Sequence, residues 1–211
     1  MRIDFVSDIT CPWCAIGLRA LEVAIARVTD VAPVSLHLQP YELNPDLPLA
    51  GEAMVDYAAR KYGVSADQLA ERQALIRQRA AAVGLDFVER KRVYNTFDAH
   101  RLLHWAGLQG RQLALKRSLL SAYHQRGENP ALPETLLAAA VEAGLDRWAA
   151  GDVLGRGAHA EEVRVTVRHW QRLGIDGVPA TVIDGRLLLQ GAQPAEVYEQ
   201  ALRRAMDHAV A

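Results

Sequence analysis

Cys11-Pro12-Trp13-Cys14 decides the reading, because this chain of 211 residues has no other cysteine and the pair stands where a strand pattern gives way to a helix pattern. Arg2 to Val6 alternates and is rich in strand formers; Thr10 can then cap a helix whose first turn accepts Pro12, whose missing amide would be unpaired there anyway. Leu18, Leu21, Ile25 and Val28 fall on one stripe of that helix. A cysteine at the amino end of a helix meets unpaired amides and the positive end of the macrodipole, which favour thiolate over thiol. The thiolate is the nucleophile of thiol–disulfide exchange, so Cys11 reads as the attacking sulfur. Cys14, one turn further in, reads as the resolving one.

Other readings of the pair are weaker. Structural zinc wants four ligands, and the nearest histidines at helical spacing, His100 and His104, are far outside finger-like spacing from Cys11. No metal is expected. A structural disulfide would close a very small loop and constrain the unfolded chain little.

Half of the residues are apolar, 23% are charged and the formal net charge is −1, the composition of an ordinary globular chain with a sizeable core. Arginines are spread among acids along helix-like segments, so no basic face for nucleic acid stands out. No stretch approaches membrane-spanning length. Met1-Arg2-Ile3-Asp4-Phe5 enters a strand directly, without the features of a secretory leader, so a cytoplasmic location with a resting dithiol is expected.

After a break over Asp30 to Pro33, Val34 to Leu38 alternates as a second strand, giving a β–α–β opening with parallel strands. From Tyr41 to about Gly157 the strand signal vanishes and helical periodicity takes over, clearest over 66–82, 96–106, 112–126 and 133–143. Asn44-Pro45-Asp46-Leu47-Pro48 reads as the linker into this region. Ala160, Val163, Val167 and Trp170 then form another helical stripe, and Asp184-Gly185-Arg186 marks a tight hairpin between 180–183 and 187–189. A last helix begins near Pro194. Trp105, Trp148 and Trp170 fall on helical stripes and are read as core. The order implies an α/β chain: a thioredoxin-like fold (1–40 and 158–211) with a large all-helical insertion (41–157) between the second strand and the third core helix.

Gly177-Val178-Pro179-Ala180 immediately precedes the first hairpin strand. An X-Pro bond there can be cis, and in a thioredoxin-like core this loop faces the Cys11 sulfur. The expected consequence is a substrate edge, with an extended peptide pairing to the backbone of Val178 while its sulfur meets Cys11.

With Cys11-Pro12-Trp13-Cys14, Asn95-Thr96-Phe97-Asp98-Ala99-His100-Arg101-Leu102 and Gly177-Val178-Pro179-Ala180-Thr181 together, the chain resembles the DsbA-type thioredoxin family. It is most similar to the FrnE-like branch, which shares its fold with 2-hydroxychromene-2-carboxylate isomerases and kappa-class glutathione transferases. The resemblance implies a thiol–disulfide oxidoreductase whose helical domain overhangs the active site. DsbA-type oxidases usually carry a histidine between the cysteines, whereas Trp13 brings no charge; the implied centre is less oxidising. The isomerase and transferase relatives have a serine where Cys11 stands, so Cys11 with Cys14 argues against their chemistry.

The catalytic expectation rests on Cys11 and Cys14, with Pro12, Trp13, Val178 and Pro179 forming the substrate surface. Asp4 is the acid of the first strand and a candidate for the buried carboxylate that relays the proton of the resolving thiol, or else a solvated edge residue. Asn95 and His100 are candidates to touch substrate or glutathione, or to cap and pack a helix. The expected partners are a disulfide-containing protein or a small thiol, with no required cofactor, glutathione as an admissible reductant or co-substrate, and a monomer or homodimer as the assembly. A glutathione-dependent isomerase or transferase and a chaperone-like binding module are the alternatives.

Overall fold

The computed structural model describes residues 1–29 and 33–210, apart from the side chains of His208, Ala209 and Val210. Of the break expected over Asp30 to Pro33, only Pro33 lies within the described residues.

The chain opens with β1 (Arg2–Ser7), α1 (Pro12–Ala26) and β2 (Ser35–Pro40), and closes with α8 (Ala160–Arg172), β5 (Ala180–Ile183), β6 (Leu187–Gln190) and α9 (Ala195–Val210). These strands form one sheet in the order β2-β1-β5-β6, with β1 and β2 parallel, β5 antiparallel to β1 and β6 antiparallel to β5. The parallel pair follows from the right-handed crossover through α1. Of the three residues that connect β5 and β6, Asp184 at φ 47° and Gly185 at φ 67° take the positive φ of a tight hairpin turn, closed by the Arg186 amide donating to the Ile183 carbonyl at 3.0 Å. Ile3, Phe5, Leu18, Leu21, Ile183, Tyr198 and Leu202 make the core between the sheet, α1 and α9. Val6, Trp170, Ile175 and Ala180 cluster on the side of α8.

Between β2 and α8 the chain builds α2 (Met54–Tyr62), α3 (Ala66–Ala81), α4 (Phe97–Leu108), α5 (Gln112–His124), α6 (Pro133–Glu142) and α7 (Arg147–Gly155). The region is not all helical as expected: β3 (Glu52–Ala53) and β4 (Arg92–Val93) pair as a small ribbon, too short to leave an alternating pattern in the sequence. The four helices α4 to α7 bundle around Leu102, Leu115, Leu119, Leu136 and Val153. Ile9, from the turn after β1, belongs to this second core and is fully buried in it. Trp148 departs from the core reading. It lies in the first turn of α7 and is 84% exposed, because Ala150 and Val153 present the buried face of that helix.

Candidate active site

Cys11 is the N-cap of α1 and Pro12 occupies its first turn, as the missing proline amide allows. The Cys14 amide donates to the Cys11 carbonyl at 3.1 Å, closing the turn that brings the two sulfurs together. Both thiols are free, and both residues are buried, with Cys11 retaining 5% exposure. The environment drives the two apart chemically. A hydrogen bond from the Cys14 thiol, followed by amides of the first helical turn, pulls Cys11 below the ordinary thiol range against the opposing effects of burial and Asp8. Burial, together with the hydrogen bond to Cys11 and its charge, pushes Cys14 well above it. One sulfur is biased toward the thiolate and the other toward the thiol.

The Val178–Pro179 peptide bond is cis. The Val178 carbonyl lies 3.6 Å from Cys11 Sγ and accepts from it. Gly17, one helical turn beyond Trp13, lets the loop approach α1 closely: a Cβ at this position would meet Pro179 Cγ and Ala192 Cα at 3.3 Å. Trp13 is 37% exposed and forms a wall between two grooves. One, of about 400 Å³, runs from Cys11 and Val178 under the helical region past Met54, Tyr57, Tyr62 and Arg72. The other, of about 770 Å³, follows the outer side of α1 along Ile16, Val23, Leu75 and Pro194. A groove of about 650 Å³ between α8 and the sheet includes neither cysteine among its walls.

Beneath the cysteines the carboxylate is Asp8, not Asp4. Asp4 is buried, but its oxygens accept from Arg2 Nε and Nη2 at 2.8 and 2.7 Å and from Gln39 Nε2 at 2.6 Å, which spends it on the sheet. Asp8 is fully buried in the turn before Cys11. Its Oδ1 accepts from Thr96 Oγ1 at 2.8 Å and its Oδ2 from the Leu43 amide at 2.8 Å. Burial alone would raise this carboxyl; the neighbouring His100, with the Leu43 amide and the Thr96 hydroxyl, outweighs burial and holds it below the usual carboxylate range. His100 Nε2 stands 3.6 Å from Asp8 Oδ1. His100 therefore lies beneath the two cysteines and does not line the groove beside Cys11. Asn95 caps and ties: its Oδ1 accepts from the Phe97 amide at 2.9 Å and its Nδ2 donates to the Pro45 carbonyl at 2.8 Å. His104 stands ring to ring with His159, the centroids 4.9 Å apart.

Two further buried groups were not singled out in the sequence. Lys116 of α5 is 1% exposed, and burial draws its ammonium below the ordinary lysine range against the pull of Cys14, Asp8 and Cys11. His124, two turns on, bonds the Ile9 carbonyl at 2.9 Å through Nε2 and stacks on Phe87 at 4.7 Å. A signal existed for both. Lys116, Leu120 and His124 recur every four residues, so a buried stripe through Leu120 carries both polar side chains inward.

Over residues 2–203 the chain matches the DSBA-like thioredoxin domain. Among solved structures it is similar to a probable DsbA oxidoreductase from Streptomyces coelicolor, at 36% identity and a TM-score of 0.90 over 98% of this chain and 90% of that one. It also resembles the cytosolic disulfide reductase DsbM from Pseudomonas aeruginosa with GSH, at 18% identity and a TM-score of 0.68 over 98% and 100% of the two chains. A third likeness is to a 2-hydroxychromene-2-carboxylate isomerase, at 19% identity and 0.73 over 100% and 98%. No curated protein matches the sequence.

Proposed function

The chain belongs to the DSBA-like thioredoxin family, and from that premise we propose that it is a cytoplasmic thiol–disulfide oxidoreductase acting through Cys11 and Cys14 in the reducing direction. The observation that carries the reading is the split between the two thiols: Cys11 favoured as thiolate at a helix N-cap, Cys14 buried and held protonated behind it. The Cys11 thiolate attacks one sulfur of a substrate disulfide, the substrate S–S bond breaks and one thiolate leaves. The substrate remains joined to Cys11 along the Val178–Pro179 edge. Cys14 then gives up its proton and attacks the Cys11 sulfur. The second substrate thiolate departs, and the enzyme is left as a Cys11–Cys14 disulfide, two electrons poorer. An external thiol such as glutathione returns those electrons. The cytosolic reductase among the similar structures supports the location and the direction.

The second reading is glutathione-dependent isomerisation or conjugation, favoured by one feature: the groove of about 400 Å³ beside Cys11 has the size and mixed apolar and basic lining of a small-molecule site. One substitution separates the two. Cys11→Ser cannot form a mixed disulfide, so it should abolish insulin-disulfide reduction and gain no conjugation of chlorodinitrobenzene with glutathione. Wild-type protein inert toward disulfides, with a serine variant that conjugates, would transfer the assignment to the second reading. Cys14→Ser, which leaves mixed disulfides unresolved, should trap protein partners in cells for identification by mass spectrometry.

A further inference from the structure

Leu43-Asn44-Pro45, where the chain leaves β2 for the helical region, forms a strap beside the nucleophile, and Leu43 and Asn44 are part of the wall of the groove that contains Cys11. Side chains from three distant parts of the chain hold this strap. Asp8 accepts from the Leu43 amide at 2.8 Å, Lys61 in the last turn of α2 donates to the Leu43 carbonyl at 2.9 Å, and Asn95 donates to the Pro45 carbonyl at 2.8 Å. Pro45 in turn restricts the backbone of Asn44 to extended conformations.

Lys61 makes a second bond, and that bond fixes the orientation of the Asn44 amide. Its Nζ meets Asn44 Oδ1 at 2.9 Å. An ammonium can only donate, so the atom it meets is the amide oxygen and the other end of the side chain is the NH2 group. The same ammonium lies 5.3 Å from the centroid of the Tyr57 ring and 6.0 Å from that of Tyr62, and both rings wall the same groove. The Asn44 amide is thus held by its oxygen, whereas its Nδ2 is buried without a hydrogen-bond partner among the described residues. Buried donors are almost always paired, so an unpaired one on a pinned strap beside the nucleophile points to an acceptor that arrives from outside the chain.

The rest of the lining indicates what kind of acceptor. Among the described residues that line the groove are Arg72 of α3 and Arg90 ahead of β4, and no aspartate or glutamate. Two guanidinium groups and an unspent amide donor, with no fixed negative charge among them, complement an acceptor that is itself negative. The hydrogen bond from the amide to such a group is of the charge-assisted, stronger kind. Cys11 and Val178 line the same groove, so the acceptor enters on the molecule whose disulfide is attacked.

Resting on the oxidoreductase reading above, we propose that Asn44 is a specificity-determining residue of the disulfide exchange: its Nδ2 donates to a carboxylate that the substrate carries close to its disulfide, and Lys61 is the positioning residue that orients the amide. The donor is fixed before the substrate arrives, so little ordering remains to be done on binding. Two sources supply such a carboxylate. One is a small anionic disulfide, for which a groove of about 400 Å³ has room; the other is an acidic residue beside the cysteine of a protein substrate.

The test compares an anionic and a neutral disulfide on the reduced protein by stopped flow. Dithionitrobenzoate carries a carboxylate on each ring and dithiodipyridine carries none; attack by Cys11 releases a coloured product from either. The observable is the ratio of the two second-order rate constants, anionic over neutral, in which a change in the Cys11 thiolate itself cancels. Asn44→Ala removes the donor and should lower the ratio at least about tenfold, the size of one hydrogen bond to a charged group. Asn44→Asp keeps an oxygen for Lys61 and puts an acceptor where the donor stood, so it should lower the ratio further. It also keeps the size of the side chain, and it carries the test should the alanine variant unfold. Its deficit should persist in about 1 M salt, where the screening length is about 3 Å and only charges in contact still repel. A disulfide-linked peptide with glutamate beside its cysteine, set against the same peptide with glutamine, separates the sources. A glutamate preference that the variants lose extends the assignment to acidic protein segments, and a preference confined to dithionitrobenzoate restricts it to small anionic disulfides. Wild-type ratios in both variants, or an aspartate deficit that salt abolishes, would overturn the proposal. Wild-type protein that attacks neither disulfide would instead sink the dithiol reading beneath it.

Discussion

Replacing Arg101 by leucine tests whether α4 is fastened to the end of α7 as the hydrogen bonds indicate. The Arg101 side chain is 4% exposed and ends in a fork that closes off α7: Nε donates to the Ala158 carbonyl at 2.8 Å, Nη2 to the carbonyls of Val153 and Leu154, and Nη1 to Asp98 at 2.6 Å. The Asp98 partner is 38% exposed, so that pair is screened and contributes at most about 0.5–1 kcal/mol. The Val153 contact is the buried one, and leaving its carbonyl without a donor costs about 1–3 kcal/mol. The Ala158 and Leu154 carbonyls are partly reachable by water and add roughly 1–2 kcal/mol together. The sum, about 2.5–6 kcal/mol, is a large part of the ~5–15 kcal/mol that holds a domain folded. For a chain of this length it corresponds to a fall in Tm of roughly 5–24 °C. Urea unfolding followed by circular dichroism, with calorimetry for Tm, measures it. Arg101→Lys keeps the charge and loses the fork, so it should fall between leucine and wild type. A leucine variant within about 1 kcal/mol of wild type would show that these carbonyls find other partners and that α7 is not fastened through Arg101.

Acid should weaken the fold through His124, whose buried ring is pushed down to about 3, chiefly by burial. Above about 6.5 the ring is neutral in both folded and unfolded chains; below it the unfolded chain binds a proton that the folded one refuses, so stability present above 6.5 is lost as pH falls toward 3, at up to about 1.4 kcal/mol per pH unit. His124→Gln should flatten the dependence of Tm on pH over that window, and an unchanged slope would assign the loss to other groups. Gly17→Val should slow insulin reduction, because a side chain there meets Pro179 and the backbone of Ala192 at 3.3 Å and must push the substrate loop off α1; unaltered turnover would mean that the loop is not held against the helix.

The cysteine pair and its frame were legible because each is written in adjacent residues. Cys11 and Cys14 close one turn, Asp184-Gly185 sets a hairpin, and period-two segments become the strands β1, β2 and β5. What lies under the pair was not legible, because it is assembled across the chain. Asp4 and Asp8 are both acids near the first cysteine, and nothing local separates them. Arg2, two residues from Asp4 on the same face of β1, and Gln39 across the sheet claim the first, whereas Thr96, 88 residues away, claims the second. The same distance explains Lys116, whose burial is visible only when its stripe is counted. The helical region is therefore more than a cover over a groove. Ile9 is packed into its core, its His124 holds the Ile9 carbonyl, and its Thr96 and His100 address Asp8. Asp8 and Ile9, between the end of β1 and Cys11, are thus gripped by helices that enter the sequence later, and a substitution in α4 or α5 can reach the sulfur chemistry without touching a sulfur.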